Sequence, residues 1–262
     1  PSVWQGHQSA LLGLTFIEND RAIDAVQELQ KALVSKTIRA PLRHQAQLQL
    51  GVALLMIEDA DGAWETLLDL LETDRLGDRS HLPEPDGVDP GEIRWHLSQV
   101  ALAQKRTSEA QRQWEAIWTQ NPTSSFSIKA NEALDKSGNS INAKTQRGRD
   151  LITDRVRSLE KLYRNKEALT LREQLPAEHR LREEHRYAAA VFKAKDYGRA
   201  AELLSALPQR SADEGILLAL AQVRSGDPEE SLRTYKQLAK GTGRVAELAQ
   251  YKVGYMAWDQ GQ

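Results

Sequence analysis

Apolar residues recur along this chain at intervals of three and four rather than two, and clusters of β-branched residues are missing, so the pattern predicts helices and almost no strand. The same pattern also returns. Ala10-Leu11-Leu12-Gly13-Leu14-Thr15-Phe16 followed by Ala25, Leu29 and Ala32 reappears as Leu50-Gly51, Leu54, Ala63, Leu67 and Leu70. Further copies read Leu97-Ser98, Ala101, Ala110, Trp114 and Ile117, then more loosely Val156, Leu159, Ala168 and Leu171. Tyr187-Ala188, Val191, Ala200, Leu204 and Leu207 form the fifth, and Leu218-Ala219, Ser231, Tyr235 and Leu238 the sixth. A seventh begins at Val253-Gly254 and stops at Gly261. Each copy places a small residue on one helix and another about twelve positions later on a second helix. That is the signature of helical hairpins whose axes approach closely.

Cap chemistry marks several boundaries. Asp89-Pro90-Gly91-Glu92 and Asp227-Pro228-Glu229-Glu230 each offer an Asp N-cap, Pro at the first helical position and Glu in the first turn. Ser211-Ala212-Asp213-Glu214 reads as a capping box. The small residue of the second helix, from Ala25 through Ala63, Ala110, Ala168 and Ala200 to Ser231, is spaced 38, 47, 58, 32 and 31, so the array is irregular and carries two insertions. The first, an acidic segment over 72–92 with Pro83, Pro85 and Pro90, is expected to be a solvated loop. The second holds an extra helix near Ser125 to Leu134 and a polar stretch that reads as a linker or hinge. The expected organisation is N-terminal repeats over 1–135, a linker over 136–147 and C-terminal repeats over 148–262 that halt in mid-repeat.

This arrangement resembles the tetratricopeptide repeat, which implies an all-α fold: an α-solenoid of about six irregular hairpins and a final helix. A narrower resemblance rests on the irregular hairpin lengths, on Tyr163-Arg164-Asn165-Lys166-Glu167-Ala168 and on the ending Tyr251 to Gln262. These look like the N-terminal superhelical region of soluble lytic transglycosylases. In that family the superhelix precedes a lysozyme-like domain that cleaves peptidoglycan with one catalytic Glu in a Glu-Ser pair, followed by Gly-Leu-Met-Gln. The only Glu-Ser here is Glu230-Ser231, in a repeat helix, with 31 residues after it and no such stretch. The resemblance therefore implies a non-catalytic, periplasmic module of a longer protein, one that positions glycan strands for a domain absent from this chain. The start at Pro1 without Met and the halt in mid-repeat point the same way. The alternative is a tetratricopeptide adaptor that grips a partner protein segment in its concave groove. Tetratricopeptide clamps for acidic peptides use Asn and Lys on the first helices, but the matching places hold Ala10, Leu14, Leu48, Val52, Trp95, Gln99, Thr153, Arg157, His185 and Ala189.

Composition narrows the chemistry. With 35 Lys and Arg against 37 Asp and Glu there is no cationic field for nucleic acid, and no apolar run is long enough to cross a membrane. The chain has no Cys, hence no thiolate nucleophile or thiolate metal site. His179 and His185 are six residues apart, which on a helix separates the rings by roughly 120°, so neither a metal nor any other cofactor is expected. Asp86-Gly87-Val88-Asp89 lacks the ligands of a calcium loop, and no phosphate-binding or nucleophile-elbow motif is present. Trp114 and Trp118 fall at packing positions and are expected in the core, together with Trp95. Two surfaces remain as interaction candidates. Between Arg147 and Arg199 there are fourteen basic and nine acidic residues, and Arg155, Arg157, Arg182 and Arg186 form a mildly positive stripe, read first as ion-paired and second as a contact for an anionic polymer. Tyr251, Tyr255 and Trp258 share one face of the last helix and are expected to be exposed, or covered by self-association through that helix.

Overall fold

The computed structural model describes residues 4–76, 87–178 and 184–259, and among them the only regular structure is helical. Fourteen helices run in chain order among the described residues: α1 (Gln5–Glu18), α2 (Ala22–Val34), α3 (Ala40–Met56), α4 (Ala60–Leu76), α5 (Pro90–Ala103), α6 (Thr107–Gln120), α7 (Phe126–Lys136), α8 (Gln146–Lys161), α9 (Asn165–Arg172), α10 (Glu184–Lys193), α11 (Tyr197–Ala206), α12 (Ala212–Ser225), α13 (Pro228–Leu238) and α14 (Arg244–Asp259). They divide into two compact units, Pro1–Leu162 and Tyr163–Gln262. Within each, most helices pack on their successor, and first helices of successive hairpins also meet, as α1 with α3, α3 with α5, α10 with α12 and α12 with α14, which is how stacked hairpins of an α-solenoid pack.

One numerical register organises the six repeat copies. If the small residue of the first helix is position 0, it is Gly13, Gly51, Ser98, Val156, Ala188 and Ala219 in the six copies. Position +12 is then Ala25, Ala63, Ala110, Ala168, Ala200 and Ser231, all buried. Position +16 supplies the side chain that fills the gap. A Cβ built on Gly13 would lie 2.5 Å from Cγ of Leu29, and one on Gly51 2.6 Å from Cγ of Leu67, so any side chain at either place would force the leucine to shift. Where the small residue is Ser98, position +16 is Trp114, whose buried Nε1–H donates to Ser98 Oγ at 2.9 Å. In the sixth copy Ser231 Oγ donates to the Ala219 carbonyl at 2.8 Å.

Position +7 closes the first helix. It has positive φ in all six copies, at Asp20, Glu58, Lys105, Tyr163, Lys195 and Gly226. In five of them the next residue sends its N–H back to the carbonyl at +3: Arg21 to Phe16, Asp59 to Leu54, Arg106 to Ala101, Asp196 to Val191 and Asp227 to Gln222, at 2.7–3.2 Å. These are Schellman closures, and they turn the chain sharply enough to start the second helix at once.

The expected caps are present. Asp89 accepts from the Gly91 N–H, Asp227 accepts from the Glu230 N–H, and Ser211 with Glu214 makes a reciprocal capping box. Trp114 and Trp118 are buried, and Trp95 is partly covered by Phe126 of the inserted helix α7. Of the acidic insertion, 72–76 ends α4 and 90–92 opens α5, because the apolar periodicity of α4 carries its helix past the acids; residues 77–86 lie outside the described residues. The polar segment 136–147 falls inside the first unit. Arg147 pairs with Glu115 of α6 and donates to the Asn139 carbonyl, while Arg149 holds the carbonyls of Ala143 and Lys144. The two units divide instead between Leu162 and Tyr163, at the turn of the fourth copy. That copy is irregular: its position +16, apolar elsewhere, is the buried Arg172.

Candidate protein-binding face

In the second unit, α10 packs on α12 and α12 on α14, so equal register positions on these three first helices form rows across one face. Position −3 carries His185, Ile216 and Tyr251. Position +1 carries Ala189, Leu220 and Tyr255, and position +4 carries Phe192, Val223 and Trp258. The rows are largely apolar yet accessible. Val223 is exposed, and Tyr251, Tyr255 and Trp258 are 64%, 50% and 74% exposed. The three aromatic rings follow one another along α14, with centroids 6.5 Å apart at 27° for Tyr251–Tyr255 and 6.3 Å at 48° for Tyr255–Trp258. Leu248 extends the stripe, and Lys252 lies 5.9 Å from the Tyr251 ring.

Polar contacts set the edges of this face. His185 Nδ1 is 2.6 Å from Glu214 Oε1. Burial of the Glu214 carboxyl would raise its pKa, but the Ser211 N–H, His185 and the Ser211 hydroxyl outweigh it and hold the group below the usual carboxylate range. At the other end the Arg224 guanidinium lies over the rings of Phe192 and Tyr197, at 5.5 and 5.1 Å, and donates to the Tyr197 hydroxyl at 3.1 Å. It thereby holds Phe192 in its row.

The basic stripe separates into different fates. Arg155 points into the first unit, where it donates to the Trp118 carbonyl and to Ser127 Oγ and stacks on the Trp118 ring. Its place in the interaction surface is therefore corrected: α8 uses it to hold α6 and α7. Arg157 is exposed and pairs with Asp154 at 3.2 Å, Arg186 is exposed on α10, and Arg182 lies outside the described residues. At Gly254 a built Cβ would meet nothing within 4 Å, unlike those at Gly13 and Gly51.

In the first unit the corresponding rows are more closed, with Ala10 and Leu48 fully buried. An open cavity of about 490 Å³ is lined by Asp61, Trp64, Glu65, Gln104 and Arg106. Its polar groups serve one another: Arg106 stacks 4.1 Å above the Trp64 ring and donates to Gln104, which donates to Asp61 at 2.6 Å. The cavity is a brace between hairpins. Among the described residues no three His, Cys, Asp or Glu side chains are grouped to hold a metal, and no helix is long and apolar enough to cross a membrane. The shared exposed face of Tyr251, Tyr255 and Trp258 on α14 was legible in the sequence, but its continuation onto α10 and α12 and the closures at position +7 escaped sequence reasoning. The rows become visible only when the repeat register is extended to equal positions on successive helices.

No protein-family model matches the sequence, and no curated protein matches it. Among the solved structures to which the chain is similar are three of repeat proteins. One is nearly identical TPR-like repeats from Podosopora anserina, at 16% identity over 96% of this chain and 97% of that one, with a TM-score of 0.37. Another is the TPR2AB-domain:pHSP90-complex of yeast Sti1, at 13% identity over 98% of each chain, with a TM-score of 0.39. The third is a tetratricopeptide repeat protein from Parabacteroides merdae, at 12% identity over 95% of this chain and 98% of that one, with a TM-score of 0.39.

Proposed function

We propose that this protein is a non-catalytic binding scaffold that takes an apolar segment of a partner protein along the first-helix face of its second unit. The observation that carries this reading is the set of equal-register rows on α10, α12 and α14, which ends in three exposed aromatic rings. Aromatic side chains with an apolar body and a polar edge are the residues that most often anchor protein interfaces. Peptides selected by display on the whole protein are expected to carry aromatic or aliphatic anchors. Their affinity should fall at least about tenfold on the double substitution Tyr255→Ser and Trp258→Ser, the equivalent of one well-buried anchor. Selection of no such peptides, or of peptides indifferent to that substitution, would overturn the reading.

A second reading keeps the expectation of a periplasmic transglycosylase module that positions glycan strands, and the exposed ring series supports it because sugar rings stack on such surfaces. Sedimentation with purified peptidoglycan sacculi separates the two. Retention that is lost in the Tyr255→Ser and Trp258→Ser protein, with no peptide binding, would replace the first reading with the second. Sedimentation velocity of the same two proteins tests self-association, which would appear as an oligomer that dissociates on the double substitution.

A further inference from the structure

We infer that the open cavity between hairpins α3–α4 and α5–α6 of the first unit is the seat for an arginine side chain of a partner protein, carried on a segment with aliphatic residues on either side of it. The cavity holds about 490 Å³ and is lined by the start of α4 and by the turn that follows α5. Both hairpins that form it are complete. Trp64 is its apolar wall, and the ring packs against both apolar clusters of this unit, which fixes its place. Gln104 and Arg106 line it from the next hairpin, and both are committed to the brace with Trp64 and Asp61. Glu65 is not. It lines the same cavity, is exposed, and has no hydrogen-bond or ion-pair partner among the described residues.

Charge decides what this cavity takes. Residues 57–65 and 104–106, which supply its lining and the two turns beside it, hold four acids, Glu58, Asp59, Asp61 and Glu65, and two cations, Lys105 and Arg106. A cation brought by a partner offsets that excess, whereas an acidic group is repelled by it. Arginine fits better than lysine, because its planar guanidinium is weakly hydrated, stacks on aromatic rings and presents paired N–H donors to one carboxylate. The rim supplies the flanking contacts. Met56 and Ile57 close α3, Leu102 closes α5, and all three are exposed. Since α3 and α5 pack on each other, these apolar side chains stand at equal ends of neighbouring helices, Ile57 four residues before Asp61 and Leu102 two before Gln104. The occupant is therefore a partner segment in which arginine alternates with aliphatic residues.

The probe is the peptide Gly-Ser-Leu-Arg-Leu-Ser-Gly bearing an uncharged fluorophore, titrated into the whole protein at low ionic strength and followed by anisotropy and by indole N–H NMR signals. Saturable binding is expected, with movement of the Trp64 signal, which is assigned by its loss in Trp64→Phe. Affinity should fall about threefold or more for Glu65→Gln and about tenfold or more for Glu65→Lys. Glu65 is exposed and holds no polar contact, so both variants keep the fold, which circular dichroism checks. The same peptide with Glu in place of Arg should not bind. Binding by the Tyr255→Ser and Trp258→Ser protein should match the wild type, so this seat and the aromatic rows of the second unit stand or fall separately. No saturable binding, equal affinity for the wild type and Glu65→Lys, or a Trp64 signal that does not move overturns the inference.

Discussion

At the scale of single residues, stability rests on how tightly position 0 meets position +16. Ser98 shows this most directly, since its hydroxyl is the buried acceptor of the Trp114 indole N–H. Ser98→Ala leaves that donor without a partner in the core, and the expected loss is about 1–3 kcal/mol by urea denaturation. Ala63 is fully buried at +12, so Ala63→Leu overpacks the hairpin and should cost about 1–3 kcal/mol, read as a lower thermal midpoint. The small residues were legible in the sequence because steric exclusion leaves only Gly, Ala or Ser. The Ser98–Trp114 bond was not, since a Ser and a Trp sixteen residues apart carry no signal until the register is known. Buried titratable groups add a dependence on pH. His96 of α5 has its pKa lowered, first by burial and then by the Lys129 ammonium, so the folded state disfavours the imidazolium. A lowered folded pKa means that stability is whole above the unfolded value near 6.5 and is lost as pH falls below it. Neighbouring Glu92 acts in the opposite sense, because burial and then Asp89 raise its pKa, so its contribution is lost as pH rises through the raised value. His96→Gln keeps Glu92 in place and should lose less stability than the wild type between pH 7.5 and 5.5. Parallel declines in the two proteins would show that His96 is not the titrating group.

At the scale of elements, the recurring device is the turn at position +7. A left-handed residue other than glycine crowds its Cβ against the backbone, yet Asp20, Glu58, Lys105, Tyr163 and Lys195 all accept it. The N–H bonds back to +3, together with the packing of the following helix, hold them there. The energy of this closure resides in the backbone, so only Gly226 and the acidic turn residues could suggest it from the sequence. Lys105 and Lys195 are exposed and sit in different units, so Lys105→Gly and Lys195→Gly should each raise stability by roughly 0.5–1 kcal/mol and should add nearly independently. A lower midpoint for either would mean that the lysine stem contributes more than the backbone strain costs. N-terminal caps behaved differently. Asp89, Ser211 and Asp227 act through side-chain oxygens, and that chemistry is written in the residue type itself.

At the scale of the whole molecule, the position of the division was the least legible feature. Polar composition over 136–147 resembles a linker, but the backbone there is captured by Arg147 and Arg149 and the segment belongs to the first unit. The division falls instead at the fourth copy, where the register weakens: Val156 stands at position 0 and Arg172 at +16. Each unit keeps apolar clusters of its own: Ala10 to Val100 and Ala101 to Leu134 in the first, and clusters around Val191, Leu204 and Tyr235 in the second. Residues 1–162 and 163–262, produced separately, should therefore both be helical by circular dichroism. The longer piece should melt cooperatively, because a larger chain buries a greater share of its surface. The shorter piece should melt at a lower temperature but still as a single transition. An unstructured 163–262 fragment would mean instead that the second unit depends on the first for its fold.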